Sequence, residues 1–83
     1  MNNNVEIAIR AGMNCGIDGD SLEILNHMAS GSKAKAMKII KGVATHYIAD
    51  ESLLDNEREF TEAFDIVCAE FSYDGCEVEW TKD

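Results

Sequence analysis

The amino-acid sequence predicts a mostly α fold, a small bundle of about four short helices with a short extended or β C-terminal tail. Apolar residues recur at helical spacing in four segments, and runs rich in Gly, Asn, Asp and Ser at 14–20, 30–32 and 74–75 separate these segments. The chain has 83 residues, no Pro and 46% hydrophobic residues, which is typical of one helical domain spanning 1–83.

The first segment, from Val5 to about Met13, is predicted to be a helix. Its apolar residues at positions 5, 8 and 9 share a helical face, although positions 5, 7 and 9 also alternate as in a strand. Glu6 and Arg10 have the i,i+4 spacing of a stabilising ion pair. This pair favours the helix over the strand.

The second segment is predicted to be a short helix that ends near Gly31. Asp20 precedes it and, with Glu23 three residues later, resembles a capping box. The acids at 18 and 20 also suggest a calcium loop, but the oxygen ligands that an EF-hand needs at its fifth and twelfth positions are missing. Capping is therefore the simpler interpretation.

The third segment, from about Lys33 to Asp50, carries a broad apolar stripe at helical spacing and is predicted to be a helix capped by Ser32. Lysines at 35, 38 and 41 recur along one flank of that helix. Such lysines oppose the helix dipole near its N-terminus, so we expect them to face acids elsewhere.

The fourth segment, from Asp55 to about Phe71, has the most regular helical pattern. Its apolar residues follow the spacing i, i+3, i+4, i+7 and i+11 from Phe60. Asp55 is the predicted cap, and Glu57 and Glu59 lie in the first turn, where the helix dipole favours negative charge.

The tail from Cys76 to Trp80 alternates apolar and acidic residues, as a short strand does. A hairpin turn at 74–75 would take residues 69–73 from the fourth helix, and it would place Glu70 opposite Glu79. We therefore expect the helix to continue and the tail to be extended, with Trp80 packed on the core.

Charge is distributed unevenly along the chain. Residues 1–49 include five basic and four acidic residues, whereas residues 50–83 include two basic and twelve acidic ones, for a net charge of −9. A surface of this sign repels the phosphate backbone, so direct binding to nucleic acid is not expected. The C-terminal half is predicted to attract a basic partner protein.

The predicted partner-binding surface consists of carboxylates that the chain's own bases leave unpaired. If the third and fourth helices are antiparallel neighbours, Lys33 and Lys35 approach Glu70 and Asp74. Arg58 is then the only base expected near the acids of residues 50–59. The predicted site residues are Asp50, Glu51, Asp55, Glu57, Glu59, Glu62, Asp65, Glu77 and Glu79.

These features predict a small acidic protein-interaction module, an inhibitor or regulator of a nucleic-acid-binding protein. Carboxylates in rows on a rigid helix can take the place of phosphates and match Lys and Arg of the partner. Phage-encoded inhibitors of host proteins, anti-CRISPR proteins among them, include chains of similar size and charge. The alternative is a structural homodimer whose apolar residues are covered by self-association.

A cysteine-dependent enzyme is the second alternative, with Cys15 in a Gly-flanked turn and His27 or His46 as its base. No oxyanion-hole motif or phosphate loop accompanies these residues, so no catalytic role is predicted. The cysteines and histidines also lack the close pairing of a zinc site, and no metal or cofactor is expected. Three cysteines, no leader and no membrane-spanning apolar run predict a cytoplasmic protein.

Overall fold

The computed structural model describes residues 3–17, 21–72 and 80–81, and four α-helices form a shared core in these ranges. The segment between the third and fourth α-helices contains two short 3₁₀ helices, Thr45–Tyr47 and Glu51–Asp55. The predicted mostly α bundle is confirmed. The α-helices are α1 (Asn3–Gly16), α2 (Ser21–Met28), α3 (Lys33–Ala44) and α4 (Glu57–Phe71).

Helix α1 lies at the centre of the bundle and packs against both α3 and α4. Its buried residues fall at positions 5, 8, 9, 12 and 13, which is the periodicity of one helical face. The strand alternative would bury Ile7 together with Val5 and Ile9, but Ile7 is 55% exposed. The predicted helix is therefore confirmed, and the Glu6–Arg10 ion pair is present at 2.8 Å.

Helix α1 continues through residues 14–16, where the sequence predicted a turn. The glycines there and one turn earlier allow α1 to approach α3 closely: a Cβ at Gly12 would lie 3.1 Å from Val43 Cγ1, and one at Gly16 only 2.5 Å away. The hydroxyl of Ser21 lies 2.9 Å from the carbonyl oxygens of Met13 and Ile17, to which it donates. The glycines therefore allow close packing of α1 on α3, and Gly16 is the last residue of the helix.

The turn between α2 and α3 requires left-handed backbone at Ser30 (φ 55°) and Gly31 (φ 80°). The side chain of Ser32 then accepts a hydrogen bond from the Lys35 N–H at 3.2 Å, so the predicted cap of α3 is confirmed. The carbonyl of Gly31 also accepts a hydrogen bond from the Thr81 N–H at 2.8 Å, which joins this turn to the end of the chain. The predicted cap Asp20 and the calcium-loop alternative lie outside the described residues.

Two further predicted helix boundaries are wrong. Helix α3 ends at Ala44 and not near Asp50, because the chain tightens into the first 3₁₀ helix and becomes extended at Ile48. Helix α4 is capped by Asn56 and not by Asp55: the Asn56 side chain accepts from the Glu59 N–H at 3.1 Å. Asp55 belongs to the second 3₁₀ helix, which the apolar periodicity did not reveal.

Phe64 lies in the middle of the core between two other aromatic rings. Its ring centroid is 6.5 Å from that of Phe60 and 6.2 Å from that of Trp80. The prediction that Trp80 packs on the core is confirmed, and residues 69–71 belong to α4 and not to a hairpin. The extended tail predicted before Trp80 lies outside the described residues.

None of the described helices is long and apolar enough to cross a membrane.

Candidate protein-binding surface

Seven of the nine predicted site residues lie in the described part of the chain. Three occupy the linker between α3 and α4, which we define as residues 50–56, and four lie on α4. Glu77 and Glu79 fall outside the described residues. The linker acids are Asp50, Glu51 and Asp55, and those of α4 are Glu57, Glu59, Glu62 and Asp65.

Two lysines of α3 form ion pairs with two of these acids. Lys33 Nζ lies 2.8 Å from an Asp65 carboxylate oxygen, and Lys41 Nζ lies 3.2 Å from one of Asp55. The start of α3 therefore faces the middle of α4, and its end faces the linker, so α3 and α4 run antiparallel along this edge. The expectation that Arg58 is the only base near the linker acids is wrong, since Lys41 reaches Asp55.

Glu62 is partnered within its own helix. Arg58 Nε lies 3.3 Å from its carboxylate oxygen, at the i,i+4 spacing, with 88% of the Arg58 side chain exposed. Such an exposed pair holds the carboxylate weakly. Glu62 therefore remains accessible to a stronger cationic partner.

Glu70 pairs with Arg10 of α1 and not with the lysines of α3 that we expected to approach it. The guanidinium donates from Nε and Nη2 to the two carboxylate oxygens at 2.8 and 2.9 Å, and Nη2 also bonds Glu6 at 2.8 Å. This two-point bond lowers the pKa of Glu70 and raises that of Arg10. The bond joins α4 to α1. It also neutralises Glu70, which was not among the predicted site residues.

Four carboxylates of the predicted surface form no ion pair within residues 3–17, 21–72 and 80–81, and we call them the acidic patch: Asp50, Glu51, Glu57 and Glu59. Asp50 Oδ1 accepts from the Ser52 N–H at 3.1 Å, which fixes its direction at the start of the second 3₁₀ helix. The two glutamates of α4 lie in its first turn, where the helix dipole partly stabilises them. The patch therefore combines carboxylates that have a local structural role with an excess of negative charge.

Two open grooves border the linker, one on each side. The larger, the Phe60 groove, has a volume of about 330 Å³, with Lys38 and Lys41 on one wall and Asp55 and Glu57 on the other. The smaller, the Tyr47 groove, has a volume of about 240 Å³. Its lining residues are Asn4, Ile7, Tyr47, Ile48, Ala49, Asp50 and Leu53.

The linker places consecutive leucines in the two grooves. Leu54, which is almost fully buried, lines the Phe60 groove, and the half-buried Leu53 lines the Tyr47 groove. Ile7 and Tyr47 leave large apolar surfaces exposed beside Leu53, at 55% and 42% of their areas. The sequence placed Tyr47 and Ile48 in the apolar stripe of the third helix, but α3 ends at Ala44 and both residues line this groove.

The cysteines differ in their surroundings. Cys15 is exposed in the last turn of α1 and not in a loop, and it forms no hydrogen bond with His27 or His46 in the described structure. Burial raises the pKa of the Cys68 thiol to about 12. Cys76 lies outside the described residues, and among the residues described no three His, Cys, Asp or Glu side chains come together as metal ligands.

Comparison of this chain with protein-family models, with curated protein sequences and with solved structures gives no match.

Proposed function

We propose that this protein is a small acidic interaction module that binds a basic partner protein through the acidic patch and the neighbouring carboxylates of α4. The observation that carries the proposal is the local charge. Residues 50–59 contain five acids and one base, and that base, Arg58, bonds to Glu62 outside this range. The acidic patch thus keeps unneutralised charge on a folded scaffold.

Unpaired like charges on one short stretch repel one another and lower stability. A cationic partner relieves that repulsion, and it gains from long-range attraction during encounter. Asp55, Glu62 and Asp65 already have intramolecular ion-pair partners, so we expect them to contribute less to partner binding than the unpaired acids. Binding should depend on Glu51, Glu57 and Glu59 more than on Asp65, whose carboxylate Lys33 already contacts at 2.8 Å.

A finer form of the proposal is an inhibitor of a nucleic-acid-binding protein in the cytoplasm, of the phage-encoded or anti-CRISPR type. Helix α4 supports it with carboxylates at 57, 59, 62 and 65, on two and a half turns of one rigid element. Those at 59, 62 and 65 recur every three residues on one side of the helix, and such a row can occupy the phosphate-binding residues of the partner and so act as a DNA mimic. The partner would then release nucleic acid when it binds this chain.

The test is retention of cellular proteins on the immobilised protein, at about 50 mM and about 500 mM NaCl. The proposal expects a basic protein that is retained at low salt, lost at high salt, and released by competing duplex DNA. The Glu57→Lys, Glu59→Lys double variant should lose it, because two charges change sign on one helical turn. Retention indifferent to salt and to charge reversal contradicts the proposal.

The matched control is Glu23→Lys. Glu23 is an exposed acid in the first turn of α2, so Glu23→Lys matches the single variant Glu59→Lys in net charge and in helix position but lies outside the acidic patch. Normal retention by this variant assigns the loss to the patch and not to overall charge.

A homodimer is the second candidate, and the exposed Ile7 and Tyr47 side chains are the observation that favours it. The net charge of −9 opposes self-association, because two copies would meet with charges of the same sign. Sedimentation measured over a range of salt concentrations separates the two functions: a dimer that is stable at low salt supports the homodimer.

A further inference from the structure

We propose that the Tyr47 groove is the apolar anchor site for the partner, and that it accepts a basic amphipathic helix. This inference rests on the proposed function and specifies the chemistry of the segment that binds. The groove offers what the acidic patch lacks, a concave apolar surface in which a side chain of the partner can be desolvated.

The charges around the two grooves decide between them. Lys38 and Lys41 line the Phe60 groove together with Asp55 and Glu57, and Lys41 pairs with Asp55, so the charges of this groove balance. Among the described residues that line the Tyr47 groove, Asp50 alone carries a carboxylate or ammonium group, and Glu51 follows it on the linker. A cationic segment is thus attracted to the Tyr47 groove, which has a net negative charge, more than to the larger groove, whose charges balance.

Asp50 is held in position at the edge of the groove. Its Oδ1 accepts from the Ser52 backbone N–H and from the Ser52 hydroxyl, so the carboxylate does not lose further freedom when it meets a cation. An apolar side chain seated between Ile7 and Tyr47 would therefore lie next to a fixed negative charge. A helix that carries Leu on one face and Lys or Arg beside it meets both requirements.

A second copy of this chain fits the groove less well. Its acidic patch would approach the Asp50 and Glu51 of the first copy, and like charges at an interface oppose binding. An acidic or neutral peptide gains nothing from Asp50. The charge of the groove therefore selects the basic helix among apolar occupants.

The test uses a fluorescent peptide of about 18 residues, five helical turns, with Leu on one face and Lys elsewhere. A matched peptide has every Leu replaced by Ser and keeps the same charge. Affinities for both peptides are measured by anisotropy with the wild type, Ile7→Ser, Ile24→Ser and Glu51→Lys. Ile24 is an exposed isoleucine of α2 outside the groove, and it provides the matched control.

The wild type should bind the Leu/Lys peptide more tightly than the Ser/Lys peptide. Ile7→Ser should weaken binding of the Leu/Lys peptide by about three- to tenfold, the effect of losing burial of half an isoleucine. It should leave binding of the Ser/Lys peptide unchanged, and Ile24→Ser should change neither. Circular dichroism and thermal unfolding check that each variant is folded, and Tyr47→Ser provides a second groove variant.

The remaining outcomes separate this inference from the proposed function. If Glu51→Lys weakens both peptides while Ile7→Ser and Tyr47→Ser change neither, the acidic patch binds and the groove proposal is overturned. If neither peptide binds the wild type, the proposed function fails and the groove proposal fails with it. A wild-type dimer that Ile7→Ser dissociates assigns the groove to self-association and also overturns the proposal.

Discussion

The two described cysteines, Cys15 and Cys68, show how position in the fold sets the chemistry of one side chain. Cys15 is exposed at the end of α1, whereas Cys68 lies half-buried on α4 beside the core. Burial is the main cause of the high pKa of Cys68, and the negative charge of Asp65 adds to it. Because the thiolate is the nucleophile, Cys68 should be inert at neutral pH in the folded protein.

Thiol labelling of the Cys76→Ser variant tests this difference. At pH 8 a disulfide reagent should modify Cys15 within seconds to minutes and Cys68 only as the protein opens, so that one thiol reacts quickly in the folded state and two react in urea. The Cys15→Ala, Cys76→Ser variant isolates Cys68 as a control. Fast reaction of Cys68 in that variant would contradict its burial against the core.

Arg10 shows how a side chain near the surface can have a structural role. Its guanidinium contacts Glu6 in the same helix and Glu70 in α4, and so orients two helices with one planar group. The Glu6 contact follows from sequence spacing, but the Glu70 contact joins residues sixty positions apart. Only the packing of α1 on α4 brings the second pair together.

At the scale of elements, the spacing of α1 and α3 depends on two glycines. Gly12 and Gly16 lie one turn apart on one face of α1, where Val43 of α3 packs against them. A Cβ at Gly42 in α3 would meet no described atom within 4 Å, so this glycine has no such packing role. Replacement of glycine by alanine is therefore expected to have opposite effects on stability in these two helices.

Gly16→Ala should destabilise the protein by about 1–3 kcal/mol, because the new methyl group must displace Val43. Gly42→Ala should stabilise it by about 0.5–1 kcal/mol, since alanine is the better helix former and meets open space. Urea unfolding gives both free energies.

A double variant, Gly16→Ala with Val43→Ala, checks the cause. In the Val43→Ala background, Gly16→Ala should reduce the free energy of unfolding by less than it does in the wild type, because the clashing methyl group is absent. Equal effects of Gly16→Ala in both backgrounds would contradict close packing of Val43 on this glycine.

At the scale of the whole molecule, the excess negative charge sets the response to salt. Nine charges on a sphere of about 15 Å radius have a self-energy on the order of 10 kcal/mol in salt-free water, of which the expanded unfolded chain retains a part. The five ion pairs of the described residues lie at the surface, where solvent screens them and each contributes little to stability. The repulsion within the net negative charge is therefore larger than the attraction within the ion pairs, although salt screens both.

The free energy of unfolding should consequently rise between about 10 mM and about 300 mM NaCl, over which range the Debye length falls below the size of the molecule. Urea is the suitable denaturant because it is uncharged. A triple variant, Glu51→Gln, Glu57→Gln and Glu59→Gln, should show a shallower rise. A decrease in stability with salt would mean that ion pairs dominate and that repulsion within the acidic patch is small.

Binding of the proposed basic partner should respond to salt with the opposite sign. Screening stabilises the free protein and weakens its attraction to a basic protein, so both effects reduce affinity at high salt. An interaction that strengthened with salt would instead have to be mainly apolar.

The local features of this protein were predictable from the sequence, because they depend on residues within one or two helical turns. The four helices follow from apolar periodicity, the Ser32 cap from one side chain before α3, and the Glu6–Arg10 pair from i,i+4 spacing. The errors fall at boundaries. Apolar residues continue across the end of α3 into the 3₁₀ helix, and Asp55 and Asn56 are both good capping residues.

The sequence by itself determined the helical class, the excess of acids after residue 49 and the absence of recognisable catalytic spacing. Only the tertiary structure decided which acids are neutralised, since Lys33, Lys41 and Arg10 reach carboxylates that lie between 14 and 60 residues away. It also decided that Tyr47 and Ile7 form a groove beside Asp50. The reason is physical: periodicity shows which face of a helix is apolar, but the partner of each face depends on how the helices pack.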